Sequence, residues 1–305
     1  MDEAVPELSI LIASFNARRT IEVCLDSLGN QKTTRRFEII LVDSSTDGTA
    51  EFVSAHYPEV RLITSPTRLF CGDARNLGMR AARAPIVAFI DADCYVESGW
   101  VDRVLEAHLR PELLIGGVIQ NGMPESAVAW AYYFCEFSLW LPRREAGPIR
   151  EIAGCCLSFK REAFDRYGPF LAGTYSSDTV FHLRAREDGQ VVHQEPSIRV
   201  FHRTLYTAGE FLRHVAFHRR CYAKVQVKVQ QLSKRQRLFR LLLTPLLPFL
   251  LFGATGQRVM RSDSLRGQFF RSLPLLFAGL CARAWGECRG FAESPVPDSA
   301  TVLRP

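Results

Sequence analysis

The chain has 305 residues, of which 47% are hydrophobic, and a net charge of +6. It is long enough for one large α/β domain with a full core and an appendage. The positive charge is local, because residues 199–240 carry eleven Lys or Arg against the single acid Glu210. Charge alone therefore allows nucleic acid, anionic lipid or a diphosphate as the ligand of this basic belt.

The number and spacing of the cysteines exclude some classes of protein. The nine cysteines form no Cys-x-x-Cys pair, and the only close pair is Cys155 and Cys156. This pattern excludes both a cysteine-rich zinc site and a secreted disulfide framework. Met1 to Pro6 contain no apolar run, so we expect no secretory signal and a reducing, cytoplasmic location.

Apolar runs alternate with helical patterns along the first 90 residues. Strands are expected at residues 8–14, 37–42, 60–64 and 86–90, and helices near 21–28, at 49–56 and at 73–84. Continuous apolar strands that alternate with helices indicate a mostly parallel sheet flanked by helices. In such sheets ligands bind at the carboxyl ends of the strands, where Asn16, Asp43 and Asp91 fall.

The middle of the chain is less regular. Between Glu112 and Ile149 no period is evident, and six aromatic residues cluster: Trp130, Tyr132, Tyr133, Phe134, Phe137 and Trp140. They could form core, a platform for sugar rings or a surface against lipid, and core packing is the favoured interpretation. Further on we expect a strand and a helix start in 151–164, a helix at 179–187 and a strand pair at 190–201.

Two apolar stretches close the chain, at 238–254 and 269–285. Prolines and arginines interrupt both, and each is shorter than the roughly 20 apolar residues of a spanning helix. With their basic flanks they suit an apolar helical hairpin that dips into one leaflet with its cations on anionic head groups. The alternative is a pair of buried helices. Residues 293–305 are expected to form a flexible tail.

Asp91 and Asp93 follow an apolar strand directly. Two carboxylates at a strand end offer hard oxygen ligands to Mg²⁺ or Mn²⁺, which proteins usually share with substrate phosphates. The alternative is the N-cap of a following helix. Asp43 also ends a strand and could accept hydrogen bonds from a base or ribose, whereas Thr46 and Asp47 are expected to cap the next helix.

Five motifs together resemble family 2 glycosyltransferases in order and spacing. They are residues 9–16 (SILIASFN), 42–49 (VDSSTDGT), 74–78 (ARNLG), 89–93 (FIDAD) and the pair Ser177 and Asp178. The resemblance covers roughly residues 7–220. It implies a GT-A fold, which is a Rossmann-like α/β architecture, together with a nucleotide-sugar donor, a divalent cation and inversion at the anomeric carbon.

The resemblance also implies roles for single residues. Ala13, Ser14 and Asn16 would lie near the nucleoside, and Asp43 would face the base. Arg75 would approach the diphosphate, Asp91 and Asp93 would hold the ribose and the metal, and Asp178 would be the general base that takes the proton of the acceptor hydroxyl.

Three further residues match basic positions of the family. His202 matches a histidine that joins the metal shell in some relatives, and its alternative is an ordinary strand residue. Arg219 and Arg220 resemble residues that close over the diphosphate, and they could equally contact lipid.

Some positions depart from the family pattern. Ser44 stands where a second acid is common, Ser177 replaces the usual Glu before the catalytic Asp, and Ala13 replaces a proline. The Gln-x-x-Arg-Trp signature of processive synthases is absent, which favours transfer of a single sugar. Residues 284–290 (AWGECRG) resemble the end of membrane-associated members.

The sequence therefore predicts an inverting glycosyltransferase with a catalytic domain at 1–220, a basic linker and apolar membrane-associated helices at 221–292, and the tail. The expected partners are a nucleotide-diphosphate sugar, a glycan or lipid-linked acceptor and the anionic cytoplasmic face of the plasma membrane, in cell-envelope or polysaccharide synthesis. A catalytically silent membrane scaffold that binds nucleotide sugar is the alternative. No nucleic-acid-reading module and no Gly-x-Gly-x-x-Gly after the first strand is found.

Overall fold

The computed structural model describes residues 5–142 and 145–293, which form two compact units. The first comprises the described residues up to Gly122 together with Pro142–Gly173 and Ser177–Arg203. The second comprises Met123–Leu141, Thr174–Ser176 and the described residues from Thr204 onward. The helix that spans residues 208–229 runs through the domain boundary predicted at residue 220, and most of the expected tail lies outside the described residues.

The described residues form nine strands and eleven α-helices. The strands are β1 (Leu8–Ser14), β2 (Phe37–Asp43), β3 (Arg61–Thr64), β4 (Ile86–Asp91), β5 (Cys94–Val96), β6 (Leu114–Asn121), β7 (Gly147–Ile149), β8 (Leu157–Lys160) and β9 (Val192–His202). The helices are α1 (Ile21–Gly29), α2 (Thr49–His56), α3 (Cys71–Ala81), α4 (Trp100–Ala107), α5 (Ala127–Glu136), α6 (Arg161–Tyr167), α7 (Ser177–Glu187), α8 (Ala208–Val229), α9 (Lys234–Leu243), α10 (Leu247–Val259) and α11 (Asp263–Ala292).

The first unit is built on one mixed sheet with the order β3-β2-β1-β4-β8-β6-β9-β5, and β7 pairs with β9 beside this path. β3, β2, β1 and β4 are parallel, as the alternation of strands and helices predicts. Nearly every residue of β1 is buried, as expected for a strand that is covered on both faces. The predicted GT-A type of α/β architecture is confirmed.

One expectation about the sheet is wrong in detail. The segment 190–201 is not a strand pair, because Val192 to His202 form one strand whose register against β6 shifts. Along its other edge, its first part pairs with β7 and its last part with β5, so a single strand is bonded to three others. The irregular segment after Glu112 contains β6 and α5, and both are buried over most of their length, so neither shows a regular alternation of apolar and polar residues.

The second unit is helical, and α11 packs along α8 and α5. Glycines of α11 make the approach to α8 possible, because a Cβ on Gly286 would collide with the carbonyl oxygen of Ala216, and one on Gly290 would collide with that of Arg220. Four members of the aromatic cluster are buried on or beside α5, which confirms the core interpretation: Tyr132, Tyr133, Phe134 and Phe137.

The two apolar stretches differ in burial. α10 packs on α11 through Phe252, Phe269 and Phe277, as in a helical hairpin. α11 is also core, since Leu276 and Leu280 are fully or almost fully buried. Among the described residues one segment, Lys234–Val259, is long and apolar enough to cross a membrane by length and composition.

Exposed apolar side chains concentrate in that segment. Seven large apolar side chains there are exposed to solvent: Leu238, Phe239, Leu242, Leu243, Leu246, Phe249 and Leu250. We call these seven residues the apolar face of α9 and α10.

Candidate active site

The parallel strands bring four predicted site residues to one edge of the sheet. Ser14 is paired with Asp43 across β1 and β2, and Ala13 is paired with Asp91 across β1 and β4. The carboxyl ends of these strands meet because the register is parallel, which is where an open α/β sheet binds ligands. Ser14 is 4% exposed, and its hydroxyl has no hydrogen-bond partner among the described residues.

Asn16 connects the loop after β1 to the loop after β2 through hydrogen bonds. Its side-chain oxygen accepts a hydrogen bond from the backbone N–H of Thr46 (3.0 Å), and its own N–H donates to the hydroxyl of Ser45 (2.6 Å). Asn16 has φ of 52°, a left-handed conformation that asparagine tolerates. The expected cap by Thr46 is therefore wrong, because Thr46 bonds to Asn16.

Two aspartates shape the loop after β2. Asp47 accepts from the N–H and hydroxyl of Thr49, the first residue of α2, but the N-cap of this helix is Gly48, so the expected cap by Asp47 is wrong in position. Asp43 is 1% exposed and accepts from both the N–H (3.1 Å) and the hydroxyl (2.6 Å) of Ser45. The contact of Asp43 with a base stays a prediction.

Arg75 projects from α3 to Asp91 at the end of β4. Its Nη2 lies 2.9 Å from Oδ1 of Asp91, and its side chain is 5% exposed against 37% for Asp91. The guanidinium lies directly over Gly154, where a Cβ would collide with it. The pKa of Asp91 is raised, because partial desolvation and the neighbouring charge of Asp93 outweigh the opposing charge of Arg75. Arg75 is thus a fixed positive charge whose partner remains accessible to a ligand.

Asp178 lies one residue inside α7 and is not its N-cap, so the capping alternative is wrong. Its Oδ2 accepts from the backbone N–H of Gly154 (2.9 Å), and its Oδ1 accepts from the N–H of Thr179 (3.0 Å). Two N–H donors hold the carboxylate in one orientation. Gly154 thus contacts both Arg75 and Asp178, a role that the sequence did not reveal.

Asp93 lies beside His202 rather than beside Arg75. The Oδ2 of Asp93 is 3.3 Å from Nε2 of His202, and the Sγ of Cys94 is 3.7 Å from Oδ1 of Asp93. The N-cap alternative for Asp91 and Asp93 is wrong, because the next element is the strand β5. A carboxylate and an imidazole this close are suitable ligands for a divalent cation. Cys94 is a third candidate ligand that was not predicted.

The predicted diphosphate ligands Arg219 and Arg220 lie on α8 in the helical unit. Arg219 donates from Nε and Nη2 to Oε1 of Glu287 at 2.9 and 2.7 Å, and Arg220 pairs with Glu293 at 2.7 Å. Their roles toward a diphosphate or lipid stay predictions.

The basic belt as a whole is less open than its charge suggested. Several of its other cations also have partners: Arg199 with Glu97, Lys224 with Glu293, Arg237 with backbone carbonyls, and Arg240 with Gln226 and Gln230. Much of the positive charge is therefore neutralised or hydrogen-bonded within the protein.

Comparison with known proteins finds glycosyltransferases. Glycosyltransferase AglE of Haloferax volcanii is 27% identical over 177 residues, which are 56% of this chain and 58% of that protein. The uncharacterized glycosyltransferase EpsJ of Bacillus subtilis is 33% identical over 117 residues, which are 37% of this chain and 33% of EpsJ. The chain thus matches about a third to somewhat over half of the length of these relatives.

Two solved structures share the fold. The mannosyltransferase PcManGT from Pyrobaculum calidifontis, in complex with GDP-Man and Mn²⁺, has a TM-score of 0.60 at 19% identity, covering 93% of this chain and 88% of that one. TarS of S. aureus, in complex with UDP-GlcNAc, has a TM-score of 0.55 at 14% identity, covering 93% and 90%. The family model described as glycosyl transferase family 2 matches residues 9–168, which is more than half of the sequence. The chain belongs to glycosyl transferase family 2.

Proposed function

We propose that the chain transfers a sugar from a nucleotide-diphosphate sugar to an acceptor hydroxyl, with inversion at the anomeric carbon. The observation that carries this proposal is the arrangement around Gly154. Its N–H donates to Asp178, and the guanidinium of Arg75 lies over it. One short turn thus keeps a carboxylate and a buried cation in fixed positions.

Asp178 is the proposed general base. It would take the proton of the acceptor hydroxyl as the acceptor oxygen attacks the anomeric carbon, while the bond to the diphosphate breaks on the opposite face. Its two N–H donors orient the carboxylate for this step. Arg75 would stabilise the charge that develops on the leaving diphosphate.

Asp93 and His202 would hold the divalent cation, with Asp91 close by at the end of β4. A divalent cation bound there would neutralise charge on the leaving diphosphate. PcManGT was solved with Mn²⁺, which supports Mn²⁺ as the first ion to test. Ser14, Asn16 and Asp43 would surround the nucleoside.

We also propose that the protein works on the cytoplasmic face of the plasma membrane. The apolar face of α9 and α10 would enter one leaflet, and Lys234 and Arg235 at the start of α9 would meet anionic head groups. This location favours a lipid-linked or glycan acceptor in envelope or polysaccharide synthesis.

The test measures release of nucleotide diphosphate from a panel of UDP- and GDP-sugars with Mn²⁺, with and without a short polyprenyl phosphate as acceptor. Asp178→Asn should lower turnover by roughly 10²-fold or more, the scale for loss of a positioned base. Its affinity for the donor should stay near that of the native protein. Glu187→Gln, at the exposed other end of α7, is the matched control.

Two results would contradict the proposal. A folded Asp178→Asn variant with native turnover would exclude Asp178 as the base. A native protein that binds a nucleotide sugar tightly with Mn²⁺ and turns none over would favour the silent scaffold instead.

A further inference from the structure

Cys94 and His202 lie directly opposite each other in the antiparallel pair of β5 and β9. Residues paired in this way place their side chains on the same face, with Cβ atoms about 4.5–5.5 Å apart. Both are buried, at 1% and 6% exposure. The register of two strands that are distant in sequence thus brings a thiol next to an imidazole.

Asp93 completes the cluster. Its two carboxylate oxygens face different neighbours. Oδ1 lies 3.7 Å from Sγ of Cys94, and Oδ2 lies 3.3 Å from Nε2 of His202. One ligand atom from each of the three residues lies within 4.8 Å of the others. Ligands bound to one zinc ion at about 2.0–2.3 Å are separated by similar distances. Only small side-chain movements are needed to bring all three atoms to one ion.

The chemistry of this donor set differs from that of a carboxylate and an imidazole alone. A thiolate is a soft ligand that selects zinc over magnesium and manganese, and zinc also stands above manganese in the general order of affinities. Three protein ligands with an open position are common for zinc at catalytic sites. The thiol therefore changes which ion the site prefers.

We propose that Cys94 is a third protein ligand of the cation site, so that Asp93, Cys94 and His202 bind Zn²⁺ and Co²⁺ more tightly than Mn²⁺ or Mg²⁺. This inference rests on the cation site of the proposed function. Coordination by sulfur breaks the Sγ–H bond, and the proton passes to the solvent, so each bound ion releases one proton. In the proposed transferase, Zn²⁺ would occupy the same position as Mn²⁺ and compete with it.

The experiment uses the purified full chain without nucleotide. Co²⁺ is titrated in, and the near-ultraviolet band of sulfur-to-cobalt charge transfer is recorded, followed by displacement with Zn²⁺. The native protein should show the band, and Cys94→Ser should lose it. The ratio of Zn²⁺ to Mn²⁺ affinity should fall by about 10-fold or more in that variant. Replacing even a residue that only supports the ligands of a metal site typically lowers metal affinity by this factor.

Other thiols provide the controls. Cys155 is also buried and hydrogen-bonds to Cys94, while Cys281 is exposed. Cys155→Ser and Cys281→Ser should both keep the band. Cys94→Ala is the second variant in case serine at this buried site disturbs folding, which circular dichroism would reveal.

Absence of the band from the native protein, or its persistence in Cys94→Ser and Cys94→Ala, would overturn the proposal. The transferase proposal is tested separately by Mn²⁺-dependent release of nucleotide diphosphate. Turnover with Mn²⁺ but no band would contradict only the role of Cys94. A band that depends on Cys94, without turnover of any nucleotide sugar, would contradict only the transferase.

Discussion

Arg75 on α3 and Asp91 at the end of β4 form an ion pair of 2.9 Å in which the cation is buried and the carboxylate is partly open. Because Arg75 is already fixed by Asp91 and by the close approach of Gly154, it loses little freedom when an anion arrives. In the proposed function the pair would therefore act as a preorganised charge for the leaving diphosphate.

Arg75→Lys keeps the charge but removes the planar guanidinium that contacts Asp91. We expect the Mn²⁺-dependent affinity for UDP or GDP to fall by about 10-fold or more, since a hydrogen bond to a charged group contributes about 1.5–3 kcal/mol. Isothermal titration calorimetry measures this loss. Arg80→Lys, at an exposed position of the same helix, should bind as the native protein does, and equal affinities for all three proteins would refute the role of Arg75.

Gly286→Ala should destabilise the helical unit, because the new Cβ would collide with the carbonyl oxygen of Ala216 and force α11 away from α8. Overpacking of this kind costs about 1–3 kcal/mol, which chemical denaturation would detect as a lower free energy of unfolding. Gly267 lies on the same helix with open space around it. Gly267→Ala should instead stabilise by roughly 0.5–1 kcal/mol. A Gly286→Ala variant as stable as Gly267→Ala would show that α8 and α11 are not closely packed there.

Glu136 makes part of the stability depend on pH. Burial works against its charge, but the hydrogen bond from His218 and the charges of Arg283 and Arg219 lower its pKa from 4.5 to about 2. Because the folded pKa is below the unfolded one, this contribution is complete above about pH 4.5 and is lost as the pH falls through about 2. The shift corresponds to roughly 3 kcal/mol.

The free energy of unfolding of the native protein and of Glu136→Gln should therefore differ by a constant amount above about pH 5 and converge near pH 2. Thermal or urea unfolding between these pH values measures the difference. Glu125→Gln, an exposed carboxylate of the same unit, should leave the pH profile unchanged. A difference for Glu136→Gln that does not vary with pH would contradict the ionised state of Glu136.

The proposed membrane contact is best tested on the apolar face of α9 and α10. A deletion of the whole C-terminal segment would also remove α11 and expose the surface of α8 on which it packs. Leu242 and Leu250 are 69% and 67% exposed, so their replacement leaves that packing in place. The double variant Leu242→Glu and Leu250→Glu should bind anionic lipid vesicles about 10-fold or more weakly, since burial of one leucine contributes about 1.5–3 kcal/mol. Sedimentation with vesicles measures binding.

Leu109→Glu is the control, because Leu109 is 83% exposed and lies in the first unit, far along the chain from α9 and α10. It should bind vesicles like the native protein. Unchanged binding by the double variant, or a native protein that stays unbound at low salt, would exclude this face as the lipid contact.

The sequence by itself determined the parallel half of the sheet and the residues at its edge. The apolar runs of β1, β2 and β4 and the helices between them are local patterns, and parallel pairing then requires the ends of these strands to meet. For the same reason Asp43 and Asp91 could be assigned to the binding edge before any contact was known.

Only the tertiary structure decided what lies next to these residues. Cys94 faces His202 because β5 pairs with the last residues of β9, and Gly154 joins Arg75 to Asp178 through a turn that has no local signature. α11 is core because its glycines meet α8, although its composition alone also suits a lipid surface. Periodicity and turn preferences are properties of neighbouring residues, whereas contacts between distant residues depend on strand order, register and packing, which no local pattern encodes.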